Sequence, residues 1–375
     1  MKKRKIVIVN QSTGDLTIDV VNAFAAQYEK VVLMAGRVKV MERELDARVK
    51  VDKIKAYDRS STSKRMMTWL IGSMQIFGKL LVKYHGYEVM YFTNPPMSCW
   101  SSLFLKSKFS IVEYDIYPDA LMNIGIKKTN PIFKLWKAVN RRLFMKADRI
   151  ITLSDGMADT LEEYGDRSKM KVIPNWCTSS KLHPIDKKDN PFVKQYGLED
   201  KFVVMYSGNI GYTHQVEYLV DVAEQLKEEK DIIFLVIGEG MKKQEVMDRA
   251  KAKGLDSFLF LTWQTVDMLP YSLNAADLGV VTLNEFTAKL SVPSKTYNLL
   301  ACGKPLLVIS PRDSEMNNIL AKYHNGACFE KTEVKEMAEF ICGLKDSPTE
   351  YSQLCDNSLS ASMDFTYKNA ELYVD

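Results

Sequence analysis

Phe202-Val-Val-Met-Tyr206 runs into Ser207-Gly208-Asn209-Ile210-Gly211, and a helical spacing resumes near His214. Five apolar residues, a glycine-bearing loop and then a helix read as a buried parallel strand entering a βα turn. The pattern repeats downstream in Ile232-Ile-Phe-Leu-Val-Ile237, Leu259-Phe-Leu261, Leu278-Gly-Val-Val281 and Pro305-Leu-Leu-Val-Ile309. An earlier series precedes it: Lys5-Ile-Val-Ile-Val-Asn10, Val31-Val-Leu-Met34, Glu88-Val-Met-Tyr-Phe92, Phe109-Ser-Ile-Val-Glu-Tyr114, Arg149-Ile-Ile-Thr-Leu153 and Lys171-Val-Ile173. Between the two series, residues 176–200 carry Pro184, Asn190, Pro191 and mixed charge without a sustained period, and read as a linker. Strands alternating with helices argue a parallel sheet with helices on both faces. The expected fold class is therefore α/β, with two Rossmann-like, doubly wound domains at 1–175 and 201–375 facing across a cleft. A chain of 375 residues is long enough for two cores.

Composition narrows the class. With 46% hydrophobic and 26% charged residues the chain reads as soluble and globular. Six cysteines without a CxxC pair, and four histidines, argue against a disulfide scaffold and a Cys/His metal centre. Only four apolar residues separate Lys5 from Asn10, too few for a secretory h-region, and no apolar run approaches the roughly 18 residues of a membrane span. A cytoplasmic location is the expectation. Charge is unevenly shared: residues 1–180 hold 30 Lys and Arg against 18 Asp and Glu, net +12, and the remainder is net −8. A basic half faces nucleic acid, an anionic membrane, or simply water; no known nucleic-acid module is present.

Ligands in open α/β sheets bind at the carboxyl ends of strands, so the loops there carry the chemistry. The 207–211 loop reads as a diphosphate cradle or as an ordinary turn; it is neither GxxxxGK[ST] nor GxGxxG. Gly238-Glu239-Gly240 closes the next strand, and Trp263 follows the one after, placed to shield a base or to pack. In Ser291-Val-Pro-Ser-Lys295, Pro293 suits a first helical turn and Ser294 a cap. Lys295 then lies near the positive end of the helix dipole, a placement that favours an added anion; a solvated surface lysine is the alternative. In the first half, Asp115, Tyr117 and Asp119 follow a buried strand, where carboxylates and phenols orient hydroxyls or move protons; the segment also reads as a Pro turn flanked by helix-capping aspartates.

These pieces together resemble glycosyltransferase family 4, with its two-Rossmann-domain GT-B fold. The closer likeness is to bacterial surface-polysaccharide transferases that use UDP-linked N-acetylated sugars. It is carried by Asp115-Ile-Tyr-Pro-Asp119, Ala147-Asp148 through Ser154-Asp-Gly-Met157, Val172-Ile-Pro174-Asn175-Trp176, Tyr206-Ser-Gly208-Asn209-Ile-Gly211, Ala275-Ala-Asp277, and Val292-Pro-Ser-Lys295 through Gly303-Lys-Pro305. The resemblance implies retaining transfer from a nucleotide sugar to a lipid-linked saccharide in capsule, O-antigen or exopolysaccharide synthesis, with no metal or other cofactor. It implies donor contacts from Gly208, Asn209, Gly211, Gly238, Glu239, Gly240, Trp263, Ser294, Lys295 and Asn298. Ser12, Thr13, Gly14, Asp115, Tyr117 and Asp119 fall on the acceptor side, with Asp115 and Lys295 catalytic.

Three positions depart from the family pattern. Its two glutamates, eight residues apart, correspond to Leu290 and Asn298, with Glu285 or Lys289 as possible substitutes for the first. Tyr212 and His214 stand where a basic residue often follows the 207–211 loop, and Tyr114 stands where many relatives have histidine. The alternatives are a catalytically silent partner subunit, a sugar-nucleotide 2-epimerase, and a two-lobed sugar-binding protein, which would carry an export signal.

A peripheral position on an anionic membrane is also expected. Residues 53–84 interleave Lys53, Lys55, Arg59, Lys64, Arg65, Lys79 and Lys83, against the one acid Asp58, with Met66, Met67, Trp69, Leu70, Ile71, Met74, Ile76, Phe77, Leu80 and Leu81. A second such stretch sets Ile132, Phe133, Leu135, Trp136, Leu143 and Phe144 beside Lys134, Lys137, Arg141, Arg142 and Lys146.

Overall fold

A computed structural model describes residues 4–124, 126–212, 214–285, 287–289 and 292–374. The chain forms two compact units, one running to Thr178 and resuming at Tyr367, the other Ser179–Thr366.

The first unit is built on seven parallel strands: β1 (Lys5–Val9), β3 (Lys30–Ala35), β5 (Lys50–Lys53), β6 (Glu88–Phe92), β7 (Phe109–Glu113), β8 (Arg149–Thr152) and β9 (Met170–Val172). Their order is β5-β3-β1-β6-β7-β8-β9, and β2 (Ser12–Thr13) pairs separately with β4 (Arg37–Val38). Ile6 lies level with both Val31 of β3 and Glu88 of β6, so the winding reverses at β1 and the loop after it borders the crevice. Ile6–Val9 and Val89–Phe92 are buried, as strands covered on both faces must be. Helix α1 (Asp15–Gln27) buries Ile18, Val21 and Phe24, and α2 (Thr62–Val82) buries Trp69, Ile76 and Leu80. Asn130 caps α3 (Pro131–Lys146) by accepting the Ile132 N–H, with Pro131 at the first helical position. Tyr367–Tyr373 returns to lie on α1. There Tyr373 stacks on Phe92 and meets the buried Trp176 edge-on, while Trp176 Nε1–H donates to Asp19 at 2.8 Å.

The second unit has six parallel strands: β10 (Phe202–Ser207), β11 (Ile232–Ile237), β12 (Phe258–Leu261), β13 (Leu278–Thr282), β14 (Leu306–Ile309) and β15 (Gly326–Phe329). Their order, β12-β11-β10-β13-β14-β15, reverses between β10 and β13. The loops leaving those two strands therefore flank this sheet's crevice. In the stretch read as a linker, Asn190 accepts N–H groups of α5 (Pro191–Tyr196) and donates to Tyr271 O at 2.8 Å, while Lys187 pairs with Asp277 at 2.5 Å.

Several details correct the sequence reading. β5 and β15 escape it because Lys-Val-Asp-Lys is charged at three of its four positions and Gly-Ala-Cys-Phe has no β-branched residue. Phe133, Trp136, Leu143 and Phe144 are core, as are Trp69, Ile76 and Leu80, so they offer nothing to a membrane. Lys79 and Lys83 are paired with the buried Asp52, and Lys137 with Glu163.

Candidate functional site

In the second unit the glycine loops interlock. Gly208 N–H donates to Ile237 O at 2.9 Å, Ile210 N–H to Glu239 O at 2.9 Å, and Lys242 N–H to Ile210 O at 3.0 Å. Gly238 (φ 146°) and Gly240 (φ 159°) are in backbone conformations that disfavour other residues, and a Cβ on either would collide with the Gly208 or Ile210 carbonyl oxygen. The loop after β11 thus supports the loop after β10 from below.

Lys295 opens α9 (Lys295–Ala301), which connects β13 to β14. Its Nζ is buried, makes no hydrogen bond among the described residues, and lies 3.6 Å from the centroid of the Tyr206 ring. A Cβ built on Gly208 would stand 3.4 Å from that nitrogen, so the lysine and the loop share one spot. Tyr206 is held by its hydroxyl, which donates to Asn209 O at 2.7 Å. Burial lowers the Lys295 ammonium to about 7 and, with help from its charge, His214 to about 4. A desolvated cation against a ring face is poorly compensated: the ring contributes on the order of 2 kcal/mol, while desolvating an ion costs several. An arriving phosphate oxygen would restore the missing partner.

The remaining donor candidates are less committed. Ser294 is already helical (φ −61°, ψ −25°) and makes no capping hydrogen bond, which corrects the capping expectation; the helix begins one residue later, at Lys295. Asn298 is half-buried on the same helix. Asn209 is exposed beside Gly211. Trp263 is exposed at 55%, and exposed Glu239 pairs with Lys243 at 2.8 Å. Leu290 and Ser291 lie outside the described residues. The two possible substitutes are engaged, Glu285 with Lys331 at 3.1 Å and Lys289 with Asp313.

In the first unit Asp115 comes off the carboxyl end of β7 with its side chain open to solvent. Desolvation by the surrounding protein raises its carboxyl above the ordinary aspartate range, an effect tempered by the water it meets. Tyr117 stacks on Trp136 with centroids 5.8 Å apart and meets Trp69 edge-on at 5.9 Å. Asp119 is buried and accepts the Tyr164 hydroxyl, so its carboxylate is turned inward. Thr13 is buried with its hydroxyl on Asn10 O at 3.0 Å, Ser12 is exposed, and Gly14 is the extended residue before α1.

The sequence reading missed two groups. Glu113, at the end of β7, is 2% exposed with Oε2 unpartnered among the described residues, and burial, then Asp115, raises its carboxyl well above the glutamate range. An acid closing an otherwise apolar strand was the available signal. Tyr206 reads as a core residue in sequence, and only the fold sets Lys295 on its face.

Residues 188–358 match the family Glycosyl transferases group 1. The probable glycosyltransferase WbjE of Pseudomonas aeruginosa is 25% identical over 63% of this chain and 60% of its own length. The putative colanic acid biosynthesis glycosyl transferase WcaI of Escherichia coli K12 is 26% identical over 68% of this chain and 64% of its own. The matches thus span less than two thirds of these curated relatives. Among solved structures, HepE of Anabaena, crystallised with UDP and glucose, superposes with a TM-score of 0.73 at 15% identity, covering 99% of this chain and 98% of its own. The two doubly wound α/β units are those of the GT-B fold.

Proposed function

For a chain carrying a Glycosyl transferases group 1 domain in a GT-B fold, we propose the activity of a retaining glycosyltransferase of the family 4 type. It moves a hexosyl or N-acetylhexosaminyl group from a UDP-sugar to a lipid-linked saccharide in bacterial surface-polysaccharide synthesis. The names of WbjE and WcaI support the reaction and its setting, and the UDP held by HepE supports the base.

One observation carries the reading: the buried Lys295 Nζ, without a hydrogen-bond partner among the described residues, against Tyr206 and Gly208 on the helix that leaves the switch point of the second sheet. When the bond between the anomeric carbon and the diphosphate breaks, negative charge collects on the departing UDP. Lys295 answers that charge in a desolvated place, where a fixed cation has most effect. Retention requires the acceptor oxygen to enter on the face the diphosphate leaves. Asp115 is the residue proposed to orient or deprotonate the acceptor hydroxyl, since Asp119 is occupied by Tyr164.

Among the described residues no helix is long and apolar enough to cross a membrane. The proposed route to a lipid-linked acceptor is therefore peripheral attachment at the cytoplasmic face through the first unit. Met66, Met67, Leu70, Met74 and Leu81 stay exposed on α2, and Ile132, Leu135 and Met145 on α3.

Calorimetric titration with UDP, GDP and ADP tests the donor assignment. UDP is expected to bind most tightly; equal binding of all three, or none, removes it.

A further inference from the structure

At the carboxyl edge of the first unit's sheet lies a cavity of about 870 Å3, lined by Arg37, Lys39, Lys55, Arg59 and Lys64, with Asp58 as the one acid in its wall. Among the described residues none of these five cations forms an ion pair. The neighbouring cations do: Arg43 with Asp19, Arg48 with Asp46, and Lys79 and Lys83 with Asp52. Asp58 accepts the Ser60 N–H at 2.9 Å, and its carboxyl is held low first by Ser60 and then by the charges of Lys64 and Lys55, so one acid offsets only part of the positive charge of the wall.

The walls are fixed. Gln11 Nε2 donates to Lys55 O and Thr68 O, both at 2.8 Å, tying the segment after β5 to α2, and Lys55 N–H donates to Gln75 at 2.7 Å. The first turn of α2 has no acid, yet it carries Lys64 and Arg65, the reverse of what the helix dipole favours. Five unpaired cations gathered around one cavity repel one another, and a multiply charged anion relieves all of them together.

The rim is apolar on one side. Met67 lines the cavity, and Met67, Leu70, Met74 and Leu81, spaced by three, four and seven, follow one exposed face of α2 away from it. In the other direction Tyr57, in the cavity wall, stacks on Trp69 at 5.9 Å, and Trp69 meets Tyr117, two residues from Asp115. A charged centre with an alkyl face on one side and the proposed acceptor carboxylate on the other matches an amphiphile whose phosphates join lipid to sugar.

We infer that this cavity binds the diphosphate of the lipid-linked acceptor, sending its alkyl chain along α2 and its saccharide toward Asp115. The inference rests on the acceptor reading above. A bounded cavity suits a discrete diphosphate better than the diffuse charge of a phospholipid surface.

The test is calorimetric, on the full chain, with farnesyl diphosphate, inorganic diphosphate and farnesol as probes. Wild type is compared with Arg37→Gln/Lys64→Gln, a pair of exposed sites chosen to spare the fold, and with Lys295→Ala. Farnesyl diphosphate should bind wild type at least about tenfold more tightly than either fragment, since both charge and alkyl burial contribute. The double variant should lose at least about tenfold of that affinity while keeping UDP affinity, and Lys295→Ala should do the opposite. Farnesyl diphosphate that fails to bind, that binds the double variant equally well, or that is lost in Lys295→Ala overturns the inference. Co-sedimentation with phosphatidylglycerol vesicles supplies the remaining arm. If the double variant loses vesicle binding while its farnesyl diphosphate affinity is unchanged, the cations attach the protein to a surface and the inference falls. Failure of UDP binding with intact farnesyl diphosphate binding removes the donor reading and leaves this one standing.

Discussion

At Lys295 a buried amine faces the Tyr206 ring and, among the described residues, has no hydrogen-bond partner. If it serves the departing diphosphate, Lys295→Ala should weaken UDP binding and cut turnover by about 10²-fold or more, roughly 2.7 kcal/mol. Unchanged kinetics in a folded variant would reduce it to a packing residue. Its titration gives a second expectation. Burial lowers the folded pKa to about 7, below the ordinary lysine value of 10.5. Between those values the unfolded chain holds a proton that the native chain lacks, so Lys295's contribution to stability rises with pH across that window. UDP works the other way, because it prefers the ammonium. Its affinity should fall as pH rises above about 7, and titrations near pH 8 in buffers of different ionisation enthalpy should show proton uptake. A flat profile between about pH 6.5 and 8.5 would contradict this. Lys295 could be singled out from the spacing of Pro293, Ser294 and the glycine loops. Its partner could not, because Tyr206 sits in a strand and looks like core until the sheet order brings α9 over it.

Among the elements, the strand-and-loop grammar was legible because buried parallel strands must be apolar and must end in loops. What stayed hidden depended on neighbours. β5 is an edge strand rich in charge, and α3 looked amphipathic for a membrane while spending Phe133, Trp136, Leu143 and Phe144 on its own core. The interlocked glycine loops make their own prediction. Gly238→Ala places a methyl against the Gly208 carbonyl oxygen at a positive φ. It should cost about 2 kcal/mol, a drop in Tm of roughly 4–8 °C, and weaken UDP binding by displacing the 207–211 loop. Thermal melts with and without UDP would show both, and an unperturbed melt with normal binding would mean the loops are not coupled. At the end of β7, the buried Glu113 keeps its proton far above the pH at which the unfolded chain releases it. Stability should therefore fall as pH rises from the ordinary glutamate range, and Glu113→Gln should remove that decline. The gap in Tm between variant and wild type should widen from pH 5 to pH 8; a constant or reversed gap would show that Glu113 is ionised in the native state.

Over the whole molecule, charge and fold divide the labour. The first 180 residues carry net +12, and the structure shows which part of it is spent internally, on Asp19, Asp46, Asp52 and Glu163, and which part lines an open cavity. Sequence counting registers the excess but cannot separate paired cations from unpaired ones, because pairs such as Arg43 with Asp19, Lys79 with Asp52 and Lys137 with Glu163 join segments distant in the chain. The second unit holds the glycine loops and the lysine suited to a diphosphate. The most direct measurement gives the full chain UDP-glucose, UDP-galactose and UDP-N-acetylglucosamine with a short-chain prenyl-diphosphate saccharide, and reads UDP release together with the anomeric configuration of the product by proton NMR. The expected result is acceptor-dependent UDP release with one of these donors, an α-linked product that keeps the donor's configuration, and at least about 10²-fold less of it from Lys295→Ala. A β-linked product, or UDP release that ignores the acceptor, would contradict the proposed retaining transfer.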